Sequence, residues 1–211
     1  MVTIDERARS PLWLKVAYAI GVPVIVAVYW PFYGPQNFLW LSDVALFCTA
    51  IAVLADNRLF ASMPAAGVLP LEVAWAVDFV CGGKLMGLAS YMFDPSLGWW
   101  LRGLSLFHLA LPPTLIYIVW RDGYDRRALV WQALLTVAVL LLTYYLTDPG
   151  ENINWVFGPN GQPQHDTASH IYLMKVMAVI LIGVLLPMHY LLQWLFGDER
   201  RAAREFQAAG N

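Results

Sequence analysis

Residues 128–147, ALVWQALLTVAVLLLTYYLT, form an uncharged apolar stretch that decides the fold of this chain. A helix rises about 1.5 Å per residue, so a stretch of this length covers the ~30 Å hydrocarbon core of a bilayer. Around it, hydrophobic residues make up 59% of the 211 residues and charged residues only 13%. A soluble domain carries about 25% charged residues. The composition therefore predicts an integral membrane protein.

The chain contains several such apolar runs, which predict six transmembrane helices in one bundle. The runs cover residues 12–30, 38–55, 67–89, 101–120, 128–147 and 170–196, and a polar loop covers 148–169. Backbone that is exposed to lipid must form its hydrogen bonds within its own segment, which favours helices throughout. We therefore expect an all-α fold with a single transmembrane domain over residues 1–211.

The distribution of arginine predicts the orientation of this bundle. With six spans, both termini, the link before the third span and the link after the fourth span all fall on the same side. These four segments carry Arg7, Arg9, Arg58, Arg121, Arg126, Arg127, Arg200, Arg201 and Arg204. Positive charge accumulates on the cytoplasmic side, so both termini are expected there and loop 148–169 outside. The net charge of -2, without a basic stripe, predicts no nucleic-acid partner.

Ionisable side chains within the spans are the candidate functional residues, because each costs a few kcal/mol in the bilayer. They are Asp43, Glu72, Asp78, Lys84, His108, Lys175 and His189. Counted at about 1.5 Å per residue, all except Glu72 and His189 fall in the outer half of the bilayer. We interpret Glu72 as an acid in the first turn of the third helix, where it suits the helix dipole. The convergence of His108, Asp43 and Asp78 at one depth predicts a catalytic group.

A second set of polar residues is expected to contact a substrate. Ser105 lies one turn before His108 on the same helical face, and Lys175 lies just over one turn inside the last span. The outer loop adds Glu151, Asn152, Asn154 and Trp155, next to an apolar Val-Phe pair. This mixture predicts a segment that packs against the bundle as a lid. An ion pair between Asp43 and Lys175 is the structural alternative to a catalytic role.

The metal-binding residue types do not form a strong motif. His165, Asp166 and His170 lie close together in the loop, but His-x4-His alone is a weak pattern for zinc. Cys48 and Cys81 fall inside apolar runs without CxxC spacing, which is typical of buried small hydrophobic residues. We predict neither a metal nor another cofactor.

The strings YGPQNFLWLSDVALF (33–47), MFDPSLGWWLRGLSLFHLALPP (92–113), GYDRRAL (123–129) and LTDPGENINWVFGP (146–159) are distributed along the chain. They resemble a family of bacterial six-span proteins described as membrane-associated. This resemblance covers nearly the whole chain and brings no assigned activity. It implies a multi-pass protein of the bacterial inner membrane.

His108 and the string INWVF (153–157) carry a more distant resemblance, to androgen-induced-gene-type intramembrane hydrolases. Those proteins have five or six spans and act on lipid acyl esters. The resemblance implies that His108 takes the place of their histidine. Where they carry a Thr or Cys nucleophile on an early span, this chain has Asp43, with Ser42 beside it.

Three functions are compatible with these residues. The first is a hydrolase or acyl transferase that acts on a membrane lipid, with His108 as general base oriented by Asp43 or Asp78. Its nucleophile would be Ser42, Ser105 or water. The second is a small transporter or a component that binds a lipid or solute, with homo-oligomers expected because the chain is short. The third is a structural accessory subunit whose polar residues only hold the helices together.

Overall fold

The computed structural model describes residues 9–198 and is built of helices, which confirms the all-α prediction. The helices are α1 (Leu12–Tyr33), α2 (Leu41–Ala55), α3 (Arg58–Gly67), α4 (Leu69–Val80), α5 (Trp99–Leu104), α6 (Phe107–Asp122), α7 (Ala128–Leu146), α8 (Ser169–Ala178) and α9 (Leu186–Phe196). A π-helical segment, Val179–Leu185, joins α8 to α9. Short 3-10 turns lie at Pro35–Leu39, Ser90–Phe93, Ile153–Trp155 and Pro159–Gly161. Residues 9–198 contain no β-strand.

Four helical segments are long and apolar enough to cross a membrane. They are Leu12–Tyr33, Trp99–Asp122, Ala128–Leu146 and Ser169–Phe196. Helices α3 and α4 add a fifth span if they count as one segment with a bend of 58°. Helix α2 is apolar but has only 15 residues. These helices support a transmembrane protein with four or five candidate spans, where the sequence predicted six.

The third apolar run differs from the prediction of one helix over residues 67–89. Helix α4 ends at Val80, because Gly82 and Gly83 take left-handed backbone conformations with φ of 74° and 70°. The helical path also starts earlier than predicted, at Arg58, where the Asn57 side chain accepts a hydrogen bond from the Leu59 amide at 3.0 Å. The path bends between α3 and α4, where Pro70 lacks the N–H that a continuous helix would use.

Four segments that are distant in sequence meet at one end of the bundle, which we call the basic end. The Ser10 amide donates to Asp56 at 2.6 Å, and Arg58 pairs with Asp198 at 2.9 Å. The Tyr124 amide donates to the carbonyl of Phe196 at 2.8 Å. These contacts bring together the start of α1, the α2–α3 link, the α6–α7 link and the end of α9.

The opposite end, which we call the loop end, is formed by the turn after α1 and the loop after α7. Gln36 donates to Glu151 at 3.0 Å, which joins the two segments. Phe32 and Trp100 pack edge to face with ring centroids 4.8 Å apart, so the start of α5 lies at this end as well. Trp100 at this end matches the enrichment of tryptophan at membrane interfaces.

Small residues on α3 let it pack closely against its neighbours in the centre of the bundle. Ala61, Ala65 and Ala66 are buried, and α3 contacts α2, α6 and α7. At Gly67 the fit is tight, because an added Cβ would lie 2.5 Å from the side chain of Gln132 on α7. Gln132 is itself buried and donates to the Thr136 hydroxyl at 3.1 Å, so it has little freedom to move.

Gly67→Ala is expected to lower the melting temperature, because the new methyl group must displace Gln132 from its buried hydrogen bond. Overpacking of this kind costs about 1–3 kcal/mol. Gly21→Ala is the matched control, since an added Cβ at that helical position has no neighbour within 4 Å apart from the adjacent residues and the backbone of its own helix, and alanine favours a helix. Equal melting temperatures for the two variants in the same detergent would contradict this packing.

The basic end contains a buried carboxylate that depends on arginine. Asp125 accepts from Arg127 at 3.1 Å and 2.8 Å, and Arg58 lies 3.6 Å from the same carboxylate. The Asp125 amide donates to Ser62 on α3 at 3.0 Å. The hydrogen bonds from Arg127 hold the pKa of Asp125 below its usual range. The α6–α7 link is thereby tied to α3.

Asp125→Asn is expected to make the fold less sensitive to acid. The folded-state pKa of Asp125 is lower than its unfolded value of about 3.9, so the ionised carboxylate stabilises the protein above that pH. This stabilisation is lost as the pH falls through the folded-state pKa. The melting temperature of the wild type should therefore fall more steeply than that of the variant between about pH 5 and 3. Asp166→Asn, in the exposed loop, should follow the wild type; parallel curves for all three proteins would refute the role of Asp125.

Candidate functional site

The centre of the site is a buried pair between α4 and α6. Nδ1 of His108 lies 2.7 Å from Oε2 of Glu72, and the two side chains are 11% and 3% exposed. Helices α4 and α6 pack directly against each other, which brings the first turn of one beside the first turn of the other. A carboxylate at this distance sets the orientation of the imidazole and determines which ring nitrogen carries the proton.

Aromatic rings cover both faces of the site around His108. The Trp75 ring stacks on the imidazole with centroids 4.4 Å apart and an angle of 19° between the planes. Phe107 lies 4.1 Å from the imidazole at 24°. Trp75 reaches this position because it follows Glu72 by three residues, on the same face of α4. The stacked rings restrict the orientation of the imidazole.

A pair of hydroxyl groups joins α1 to the residue three positions before His108. Oγ of Ser105 lies 2.7 Å from the Tyr29 hydroxyl, and both groups are buried. The Ser105 hydroxyl also reaches the Leu101 carbonyl at 3.4 Å. The structure thus places Ser105, a predicted substrate-binding residue, beside α1 in the core of the bundle.

Asp43 is also buried, but among the described residues one of its carboxylate oxygens lacks the hydrogen-bond partner that Glu72 and Ser105 have. It is 4% exposed, and its carboxylate interacts electrostatically with Glu72 and with Tyr29 and Tyr91. Oδ1 of Asp43 has no hydrogen-bond partner within residues 9–198. An unpaired buried carboxylate is costly in a medium without water.

The alternative ion pair between Asp43 and Lys175 is wrong for the part of the chain that the structure describes. The ion pairs there do not include Asp43, and Lys175 is exposed on α8. Helix α8 turns Leu173 into the core. A residue two positions later points away from that direction, because successive helical residues are about 100° apart.

Asp78 has a different environment from the one that the sequence predicted. Its Oδ1 accepts from the Leu85 and Met86 amides at 2.9 Å and 2.8 Å, and its Oδ2 accepts from the Ala89 amide at 2.8 Å. These bonds fold the glycine-containing segment after α4 back onto the helix. Asp78 therefore organises a loop, and the carboxylate in contact with His108 is that of Glu72.

Sequence reasoning placed Glu72 at the wrong depth. With the third span starting at residue 67, Glu72 fell near its inner end. In the structure the helical path starts at Arg58, so Glu72 lies well inside it, about two turns before Val80. His108 lies about two and a half turns after Trp99, at a matching depth. The helix cap at Asn57 is the sequence signal that could have located this start.

The predicted lid residues close the loop end of the bundle. The Asn154 amide group donates to the Leu39 carbonyl at 2.7 Å, and its oxygen accepts from the Leu41 amide at 2.9 Å, which caps α2. Asn152 is fully buried and bridges Gly158 and Phe157 within the loop. Trp155 is half-buried, and Glu151 is exposed beside the turn after α1. These contacts hold the loop over the start of α2, two residues before Asp43.

Apolar residues of the loop insert into the bundle as the sequence indicated. Val156 and Phe157 pack with Leu41 of α2, Leu140 of α7 and Leu173 of α8. Threonine side chains of α7 also face the interior: Thr136 and Thr143 are buried, and Thr147 donates to the Thr143 carbonyl at 2.7 Å. Within residues 9–198 no three His, Cys, Asp or Glu side chains are grouped to hold a metal ion.

Comparison of this chain with protein-family models, with curated proteins and with solved structures finds no match. The resemblances drawn from its sequence strings therefore stay predictions, and the chemistry of the site must be argued from its geometry.

Replacing Asp43 and Asp78 by leucine is expected to change stability in opposite directions. Asp43→Leu removes an unpaired buried carboxylate and should raise the melting temperature. Asp78→Leu leaves three backbone N–H groups without acceptors and should lower it, at about 1–3 kcal/mol for each group that stays buried.

Thermal unfolding in one detergent measures both variants against the wild type. A loss of stability in Asp43→Leu similar to that in Asp78→Leu would show that Asp43 holds the helices together. That result would favour the structural accessory role.

Proposed function

We propose that six helical segments cross the membrane, with the basic end in the cytoplasm. The contacts at the two ends support this: α1, α2, the α3–α4 pair, the α5–α6 pair, α7 and the α8–α9 segment each run between the basic end and the loop end. Arg121, Arg126 and Arg127 at the basic end follow the excess of positive charge in cytoplasmic links. The bacterial inner membrane is the compartment proposed from the sequence resemblance.

We further propose that the chain is an intramembrane enzyme that cleaves or transfers an acyl ester of a membrane lipid. The observation that carries this proposal is the buried Glu72–His108 pair. With Nδ1 bonded to a carboxylate, Nε2 of His108 is the nitrogen that exchanges a proton with the substrate. Leu106 and Leu109 beside His108 are exposed, so the site borders the surface that lipid would cover.

The proton transfers follow from this arrangement. Nε2 of His108 takes the proton of a hydroxyl group, of Ser105 or of water, as its oxygen bonds to the ester carbonyl carbon. Collapse of the tetrahedral intermediate breaks the bond between that carbon and the alcohol oxygen. The imidazolium returns the proton to this leaving oxygen. If Ser105 is the nucleophile, the acyl group is then bound to its oxygen, and attack by water or an acceptor alcohol, with Nε2 again taking the proton and returning it to Ser105, releases the acyl group. Glu72 stabilises the transient imidazolium, and the stacked Trp75 ring adds to that stabilisation.

A proton path is the second candidate function, and one observation favours it. Asp43, Glu72 and His108 form a series of buried titratable groups that interact with one another. Such series occur in membrane proteins that move protons.

His108→Gln is expected to abolish ester cleavage in liposomes that contain acyl lipids with a fluorescent chain. Loss of a general base costs about 10²–10⁴-fold in rate. Glu72→Gln should also slow the reaction, because the neutral amide stabilises the imidazolium less. His170→Gln is the matched control, since that histidine is exposed at the start of α8. Release of the labelled fatty acid, separated by chromatography, measures all four proteins.

Cleavage by His108→Gln at the wild-type rate would refute the enzyme proposal, and so would an inactive wild type across phospholipid, glyceride and wax esters. If the wild type cleaves none of these esters, proton flux is measured across the membrane of the same liposomes. Flux that the wild type supports and His108→Gln does not would select the proton path.

A further inference from the structure

A groove between α3 and α7 opens on the surface of the bundle near the basic end, with a volume of about 590 Å³. Among the described residues that line it, Arg127 alone is charged. Met63 is buried, whereas Trp131 and Leu134 are more than half exposed, so the groove is open to the molecules that surround the bundle. Its apolar lining includes Phe60 and Met63 of α3 and Trp131, Leu134 and Ala138 of α7.

The groove has the depth of one leaflet of a bilayer. Arg127, Trp131, Leu134 and Ala138 follow one another at intervals of four, three and four residues, which places them on one face of α7. From Arg127 to Ala138 the helix rises about 16 Å, close to half of the ~30 Å hydrocarbon core of a membrane. Helix α7 is itself long and apolar enough to span that core. One acyl chain of a phospholipid therefore fits along the groove, with its headgroup at Arg127.

Arg127 at the mouth of the groove has hydrogen-bond donors left for a ligand. Its side chain is 71% exposed, and its Nε and Nη2 donate to Asp125 at 3.1 Å and 2.8 Å. A guanidinium group carries five N–H donors, and the hydrogen bonds of Arg127 within residues 9–198 do not use its Nη1. The edge between Nη1 and Nη2 matches a phosphate group, which arginine binds with two parallel hydrogen bonds.

Positive charge exceeds negative charge around the mouth of the groove. Arg58 lies 3.6 Å from the same Asp125 carboxylate and pairs with Asp198 at 2.9 Å. Arg126, next to Arg127 in the chain, is exposed and forms no ion pair with another residue of the described range. Three arginines are thus combined with two carboxylates. This excess attracts a headgroup with a net negative charge and repels the ammonium group of a zwitterionic one.

We propose that the groove binds one anionic phospholipid, such as phosphatidylglycerol, from the leaflet at the basic end. One acyl chain lies along α7, and the phosphate accepts hydrogen bonds from Arg127. A phospholipid combines the two properties that the groove requires, an apolar chain and a phosphate next to it, whereas a soluble phosphate has only the second. The proposal goes beyond the enzyme function and does not depend on it, because neither Glu72 nor His108 lines the groove.

The first test compares two phospholipids with the same acyl chains, dioleoyl phosphatidylglycerol and dioleoyl phosphatidylcholine. Each is titrated into the full chain in detergent, and native mass spectrometry measures the dissociation constant of the first bound lipid. We expect the wild type to bind phosphatidylglycerol about five-fold or more tightly, which is the effect of one basic residue on an anionic lipid. Arg127→Gln keeps an amide donor for Asp125 but lacks the charge, and it should remove most of that preference. Lys84→Gln removes an exposed cation that follows α4, outside the groove, and it should keep the preference.

The second test fills the groove. Ala138→Phe places a bulky ring at its apolar end without removing a hydrogen bond, and it should weaken the binding of both lipids several-fold. Ala19→Phe is the matched control, because Ala19 is exposed on α1 and lies outside the groove lining. It should bind both lipids as the wild type does.

Equal binding of the two lipids by the wild type would overturn the proposal, and so would an unchanged preference in a folded Arg127→Gln. Wild-type affinity in Ala138→Phe, or an equal loss in Ala19→Phe, would show that lipid covers the bundle without a site in the groove. A dimer mass that only Ala138→Phe removes, in a chain without lipid preference, would assign the groove to a second copy of the protein. If Arg127→Gln does not fold, as judged by thermal unfolding, Ala138→Phe and Ala19→Phe decide.

Discussion

The 2.7 Å contact between Glu72 and His108 lies in the core of a bundle that exposes apolar surface over most of its length. In such surroundings an isolated charge is unfavourable, and water is not there to compensate. The contact joins α4 to α6 and orients the imidazole between two aromatic rings, and it leaves Nε2 as the nitrogen on which the proposed proton transfer depends. The bend between α3 and α4 matters for the same reason, because it sets the depth and direction of Glu72.

Buried polar residues of this protein fall into two groups by how completely they are bonded. In Asp78, Asn152 and Asn154, both polar atoms of the side chain form hydrogen bonds with backbone groups. These bonds hold loops in place. Oδ1 of Asp43 has no hydrogen-bond partner within residues 9–198. An unpaired buried oxygen is costly, so Asp43 contributes less to the stability of the fold than the fully bonded residues do.

The sequence located much of the site without its correct pairing. His108 and Asp43 were predicted from the cost of ionisable groups in a span, and Ser105 from its position three residues before His108; all three side chains are buried. Glu72 was missed because its depth was counted from an incorrect helix start. Asp78 was grouped with them because its depth, counted along the sequence, was similar, yet depth does not determine which backbone amides a loop will present to a carboxylate.

The sequence by itself determined that the chain is helical and belongs in a membrane, because hydrophobicity and segment length are summed along the chain and need no knowledge of neighbours. It also indicated that the Arg-bearing segments share one end of the bundle, since an even number of crossings separates them. The tertiary structure decided which side chains make contact: Glu72 with His108, and Asn154 with the start of α2. It also decided that Lys175 is exposed. Those contacts depend on how far each helix is rotated and where it bends, and such angles follow from packing between helices that are distant in sequence.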